Sequence, residues 1–299
     1  MVKLTRRRFL IGAVGSVALA GSGGFWYFNN VSMQKSHERE GKFLVDLHTH
    51  TPKGREEDLL RLLSSHGITG LSCVNKPGNE HRLLFEEALD LPGVTKIDFG
   101  LARVEYGGSV GYILRDQELT GRQHHVLAVG VPGEYLDDNI ELHLAIERIR
   151  TEGGASVLNH PFVTPNKNPQ IGPDFVRYRL LTDEERAVMY ELADEVDEIE
   201  ICNGQNINPT FGIYVPNMKV ANEMAIQMTI ERLNGRVKGV VSSDARLYEQ
   251  TKFRGIYLSR PSGEPLTTEY IVDKIKNNDF ENDHQGVVSR WSFVRGMFF

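Results

Sequence analysis

The chain has 299 residues, 40% apolar and 25% charged, enough to bury a sizeable core without disulfides. Its net charge is −6, and the first 20 residues carry Lys3, Arg6, Arg7 and Arg8 with no acid, which leaves the remainder more acidic still. An acidic body is a poor footprint for phosphodiester backbones, so no nucleic-acid partner is expected. A small phosphorylated or otherwise anionic substrate stays compatible with a locally positive cleft. Cys73 and Cys202 lie in apolar strand-like runs and read as buried thiols, not as a bridge.

The chain opens MVKLTRRRFLIGAVGSVALAGSGG, basic residues followed by an uncharged run, the layout of an export signal. TRRRFL resembles the twin-arginine motif. That resemblance implies the twin-arginine export machinery as a partner and a periplasmic or extracytoplasmic location. Cleavage near Ala18–Ala20 and retention through residues 9–28, long enough to span a bilayer, are both open. Residues 1–28 therefore read as signal or anchor, 29–41 as a polar linker, 42–262 as the folded body, and 263–299 as an extension packing on it.

From Lys42, KFLVDLHTH reads as a strand, and REEDLLRLLSSHG (55–67) as an amphipathic helix stopped by Gly67. ITGLSCVN is a second strand, NEHRLLFEEALDL a helix, TKIDFGLARVEYGG a third strand and HHVLAVGV a fourth. NIELHLAIERIRTEGG, TDEERAVMYELADEV and NEMAIQMTIERLNG read as helices between the strands ASVLNHPF, DEIEICNG and RVKGVVSSDAR. The alternation predicts a parallel sheet flanked by helices. Seven strands over about 220 residues favour an α/β fold closed as a (β/α) barrel, with its site at the C-terminal strand ends. The Pro- and Asn-rich stretch 163–174 reads as a site flap or a plain surface loop.

Strand neighbours i and i+2 share a face, so His48 and His50 point the same way. At the end of a barrel strand both imidazoles can reach one cation at about 2.0–2.1 Å. Other strands carry similar residues: the third ends at Glu105, the fourth begins with His124-His125, the fifth ends at His160 and the last at Asp244. Burying an unpaired charge is costly, so such residues at so many strand ends point to a shared partner.

The segments DLHTH, HVLAVG, GGASVLNHPF, EIEICNG and VVSSDA, in order across Lys42–Arg246, resemble the motifs of PHP-type metal-dependent phosphoesterases, the polymerase and histidinol phosphatase family. The resemblance implies a distorted (β/α) barrel of about seven strands holding up to three metal ions. By position it implies His48, His50, Glu105, His125, His160 and Asp244 as ligands, with Glu105 bridging two ions and His124 beside the site or exposed. Three departures stand out. The family's second strand ends TDH-like, whereas VNKP places Asn75 and Lys76 there; the last strand usually reads SDAH, whereas Arg246 replaces the histidine. The first loop lacks its usual aspartate and has Lys53 and Arg55 nearby. A third ion site is thus expected to be lost, and two divalent ions (Zn, Mn or Fe) retained.

Lys76 and Arg246 then either neutralise a phosphate oxygen where an ion would sit or are surface charges of a decayed pocket. The implied chemistry is phosphoester hydrolysis by a hydroxide that two metals generate near neutral pH, with Asp244 holding an ion and accepting a proton. An amidohydrolase-type amide or lactone hydrolase, and a metal-retaining binding protein without turnover, are the alternatives. His81 follows Lys76 and either approaches the site or, as the start of a helix, is simply exposed; His37, His66, His143 and His284 read as surface or packing residues.

Overall fold

The run KFLVDLHT forms β1 (Lys42–Thr49), every residue after Lys42 being buried, as expected of a strand covered on both faces. In the computed structural model the described residues are 41–57, 59–60, 63, 67–73, 82–121, 123–137, 139–165, 178–203, 216–244 and 255–282. The expected signal, most of the linker, Lys76, His81 and Arg246 lie outside them, as does most of the 163–174 stretch. Among the described residues no helix is long and apolar enough to cross a membrane.

The other strands are β2 (Gly67–Cys73), β3 (Val94–Lys96), β4 (Leu101–Tyr106), β5 (Ser109–Thr120), β6 (His125–Val129), β7 (Ala155–Asn159), β8 (Val163–Pro165), β9 (Tyr178–Leu180), β10 (Glu198–Asn203), β11 (Val240–Ser242), β12 (Ile256–Ser259) and β13 (Glu281–Asn282). The helices are α1 (Phe85–Ala88), α2 (Leu142–Thr151), α3 (Asp183–Glu195), α4 (Pro216–Glu231) and α5 (Thr268–Lys276). A path of nine strands runs β11-β10-β7-β6-β5-β2-β1-β12-β13, with β3 and β4 attached beside β5 and a separate hairpin of β8 and β9.

The expected α/β barrel is present, with nine strands around it where about seven were expected, and the sheet is mixed where a parallel one was predicted. β1, β2, β5, β7, β10 and β11 run one way, and β6 and β12 run against them. One core cluster joins Val45 and Leu47 of β1 to Ile68, Leu114, Leu127, Val157, Val240 and Ile256. Residues from strands so far apart in the sheet can meet only if the sheet curls on itself. Two seams complete the curl. Ser243 N donates to Asp46 Oδ1 at 3.0 Å, tying the end of β11 to β1. Asn282 Nδ2 on β13 donates to Gly239 O at 2.8 Å, joining the two ends of the path.

The segment TKIDFGLARVEYGG, expected as one strand, divides into β3 and β4. Gly107 and Gly108, at φ +57° and +81°, then turn the chain into β5, which the sequence reading did not anticipate. The segment after 262 supplies both α5 and β13. Ile271, Val272 and Ile275 of α5 enter the barrel cluster, each such burial contributing roughly 1.5–3 kcal/mol. Outside the sheet, α2, α3 and α4 cover the outer faces of β6, β7 and β10. α3 begins with a capping box: Thr182 accepts from Glu185 N at 3.3 Å, and Glu185 accepts from Thr182 N at 2.8 Å. Cys202 is a buried thiol on β10.

Candidate metal centre

The strand directions decide which residues meet. His48, Asn159, His160, Asp244 and Glu118 stand at or near the C-terminal ends of strands that run the same way. His125 opens β6, but β6 is antiparallel, so its beginning lies at the same rim, with His125 directly opposite Asn159. The puzzle of a ligand-type histidine at the start of a strand is thereby resolved.

Five of the six expected ligands converge: His48, His50, His125, His160 and Asp244. The sixth does not. Glu105 is exposed and pairs with Arg103 on β4. It sits opposite Val110 near the start of β5, whereas Glu118 lies eight residues further on, about 26 Å along the strand. Glu118, buried, occupies the central position instead. Its Oε2 is 3.2 Å from His50 Nε2. Its Oε1 is 2.8 Å from His125 Nδ1, 3.5 Å from His48 Nε2 and 3.6 Å from His160 Nε2. Two groups able to hold a cation result, His48–His50–Glu118 and Glu118–His125–His160, and they share Glu118. Asp244 Oδ1 flanks the first, 3.5 Å from His50 Nε2 and 3.7 Å from His48 Nε2.

The donor set fits a metal. His50 Nδ1 faces Ser72 O at 2.9 Å; a carbonyl only accepts, so Nδ1 carries the proton and Nε2 presents a lone pair. His48 Nδ1 faces Glu200 Oε1 at 3.4 Å with the same consequence. The two Nε2 atoms, 3.1 Å apart, thus aim lone pairs at one region. Two nitrogens bound to one zinc-like ion at about 2.0–2.1 Å stand roughly 3.1–3.4 Å apart. Asn159 adds a buried Oδ1 with no donor, on a side chain whose Nδ2 is 3.5 Å from both His48 Nε2 and Glu118 Oε1.

Electrostatics point the same way. Burial opposes charge on His48, yet Asp244 and Glu118 beside it raise its pKa well above the usual histidine value. Burial would also raise Glu118, but His125 and His48 hold it well below the usual carboxylate range. Burial lowers His50. Metal-free, His48 therefore holds a proton beside an ionised Glu118, placing positive charge where a cation would sit.

Backbone strain assists the geometry. His160 at φ +28° and Asp244 at φ +48° adopt a left-handed region that costs a non-glycine residue about 1–3 kcal/mol. Glu200 Oε2 accepts from His160 N at 2.7 Å, and Asn203 Nδ2 donates to Glu200 Oε2 at 2.9 Å and to Asp244 Oδ2 at 3.1 Å. Glu118, Glu200, Asn203 and Asn159 were not foreseen as site residues. His124 is buried, and burial lowers its pKa to about 4. Lys53 pairs with Glu87 at 2.6 Å on the surface, and His143 with Glu195 at 2.9 Å.

No family model and no curated protein matches the chain. Among solved structures, PsfC from Pseudomonas syringae PB-5123 is similar with a TM-score of 0.50 and 13% identity, covering 86% of this chain and 100% of that one. At that identity the likeness is one of fold. A two-domain protein from Bacteroides vulgatus ATCC 8482, containing a predicted PHP-like metal-dependent phosphoesterase, is more remote: TM-score 0.43, 15% identity, 80% of this chain and 64% of that one. Fold and site together define the class as an α/β barrel with a buried histidine–glutamate cluster that fits a metal centre.

Proposed function

We propose that the protein is a metal-dependent hydrolase acting on phosphate esters. The observation that carries this reading is the pair of cation-fitting groups sharing Glu118. His48, His50 and Glu118, with Asp244 alongside, would hold one divalent ion, and Glu118, His125 and His160 a second. Bound there, such ions supply Lewis-acid stabilisation of charge developing on a phosphoryl oxygen and make water a stronger nucleophile near neutral pH. Asp244, at the rim beside His50, would accept the proton of the attacking water. Arg82 favours an anionic substrate. Its backbone bridges Pro52, just beyond His50, and its charge acts on His50. Lys76 and Arg246 are proposed, from their sequence positions, to orient the ester as further cations. Export by the twin-arginine route, to a periplasmic or membrane-anchored location, belongs to the same proposal.

Metal analysis of the purified full chain, with hydrolysis assayed on phosphate mono-, di- and triesters and on amides and lactones, tests the reading. Uptake of two divalent ions and turnover of a phosphate ester, both lost in His160→Ala, are expected. Turnover confined to amides or lactones would move the assignment to the amidohydrolase type. Metal uptake without turnover of any of them would mark a binding protein.

A further inference from the structure

Glu200 lies outside both ligand groups, yet it touches one member of each, His48 and His160. Ser242 Oγ and His48 Nδ1 approach its Oε1, the latter at 3.4 Å. His160 N and Asn203 Nδ2 donate to its Oε2, at 2.7 and 2.9 Å. A carboxylate has about four acceptor positions, and these four donors fill them, leaving none for an ion. The residue is 1% exposed, so water offers no substitute.

Three of these contacts govern a ligand. The His48 contact keeps the proton on Nδ1 and the lone pair on Nε2. The His160 contact holds that residue's backbone at φ +28°, which turns its ring toward Glu118. Through Asn203 the carboxylate also steadies Asp244, itself at φ +48°. His48 and Asp244 belong to the first ion position, and His160 to the second.

We infer that Glu200 is a positioning residue that makes the two ion positions interdependent, so that both weaken together when it is altered. The inference rests on the metal reading above and deepens it. In Glu200→Gln one carboxylate oxygen becomes an NH2 donor. That donor must face either His48 Nδ1–H and the Ser242 hydroxyl or the His160 N–H and the Asn203 amide, so one ligand contact is lost whichever way the amide turns. Residues that orient metal ligands from behind typically change affinity 10–100-fold.

The test is calorimetric titration of the chelator-stripped full chain with zinc, with imidazole nitrogen NMR of the zinc-loaded protein. For the wild type, two ions and a His48 resonance protonated at Nδ1 are expected. For Glu200→Gln, zinc affinity should fall at least tenfold at both positions, with the His48 resonance shifted. Should that variant not fold, Ser242→Ala decides. It removes one donor to Glu200 and no ligand, and it should weaken both positions a few-fold. Unchanged affinity, or loss at one position alone, overturns the inference while leaving the metal reading intact. A wild type that takes up one zinc ion or none overturns the metal reading and the inference with it.

Discussion

Glu198 and Glu200 share one face of β10, two residues apart and both buried, yet their acidities move in opposite directions. Burial pushes Glu198 up to about 7 because its closest donors are the backbone amides of Gly239, at 2.7 Å, and Lys238, at 3.2 Å. Burial acts on Glu200 too, but His48 and His160 outweigh it and hold Glu200 at about 2. Glu198→Gln isolates the first case. A folded acidity of about 7 against an unfolded value near 4.5 means that the native chain keeps a proton the unfolded chain has released. Stability from this group is therefore complete below pH 4.5 and is lost as the pH rises toward 7. The full difference, about 2.5 units at about 1.4 kcal/mol each, is roughly 3 kcal/mol, of which about 2.5 kcal/mol falls between pH 5 and pH 8. Glutamine keeps the shape and removes the titration. Urea unfolding of the metal-free protein should show Glu198→Gln gaining about 2–3 kcal/mol more over the wild type at pH 8 than at pH 5. An equal difference at the two pH values would show that Glu198 is ionised in the fold and would refute the argument.

Four further outcomes are expected. Glu118→Gln should weaken divalent-ion binding at both positions by at least about 100-fold, or about 2.7 kcal/mol each. Glu105→Gln, on the surface beside Arg103, should leave metal content unchanged and alter stability by less than about 1 kcal/mol; dialysis against zinc separates the two. Zinc affinity should fall steeply as the pH drops, because His48 holds a proton in the metal-free protein and must release it on binding; titrations across pH 5.5–8.5, a range chosen about the ordinary histidine value, check the roughly tenfold change per unit per displaced proton. Gly70→Ala would place a methyl 2.1 Å from Asp116 Oδ2 and 2.4 Å from Leu47 O, so thermal unfolding should register a loss of about 3 kcal/mol or more.

His48, His50, His160 and Asp244 were legible because each ends a short apolar run, and period-two alternation fixes which way the first two point. Glu118 was not. It closes the run Arg115-Asp116-Gln117-Glu118, four polar residues that hydropathy reads as a loop, although all are buried in β5. Local partners make this tolerable. Arg115 Nη2 donates to Gly133 O at 2.9 Å, and Gln117 Nε2 to Leu136 O at 2.7 Å. The Gly107-Gly108 turn, followed by alternating Val110, Tyr112 and Leu114, was the available signal for a hairpin leading into that strand. Without β5, Glu105 was the nearest acid at a strand end. Glu200 was visible in EIEI, where isoleucines alternate with acids; what hid its role was that, Asn203 apart, its partners are a backbone amide and side chains far away in sequence. The direction of β6 follows from its place between β5 and β7, which no local pattern encodes.

The seam between Ser243 and Asp46 has a consequence for biogenesis. The two residues are 197 positions apart, and the His48–Glu200 contact spans 152. A nascent chain that has emerged only as far as the residue after β7 possesses His48, His50, Glu118, His125 and His160 but neither Glu200 nor Asp244 to brace them. Capture of a cation at the proposed site would thus require the chain through Asp244. Contacts of such long range also predict slow folding, on the millisecond-to-second scale of β-rich topologies.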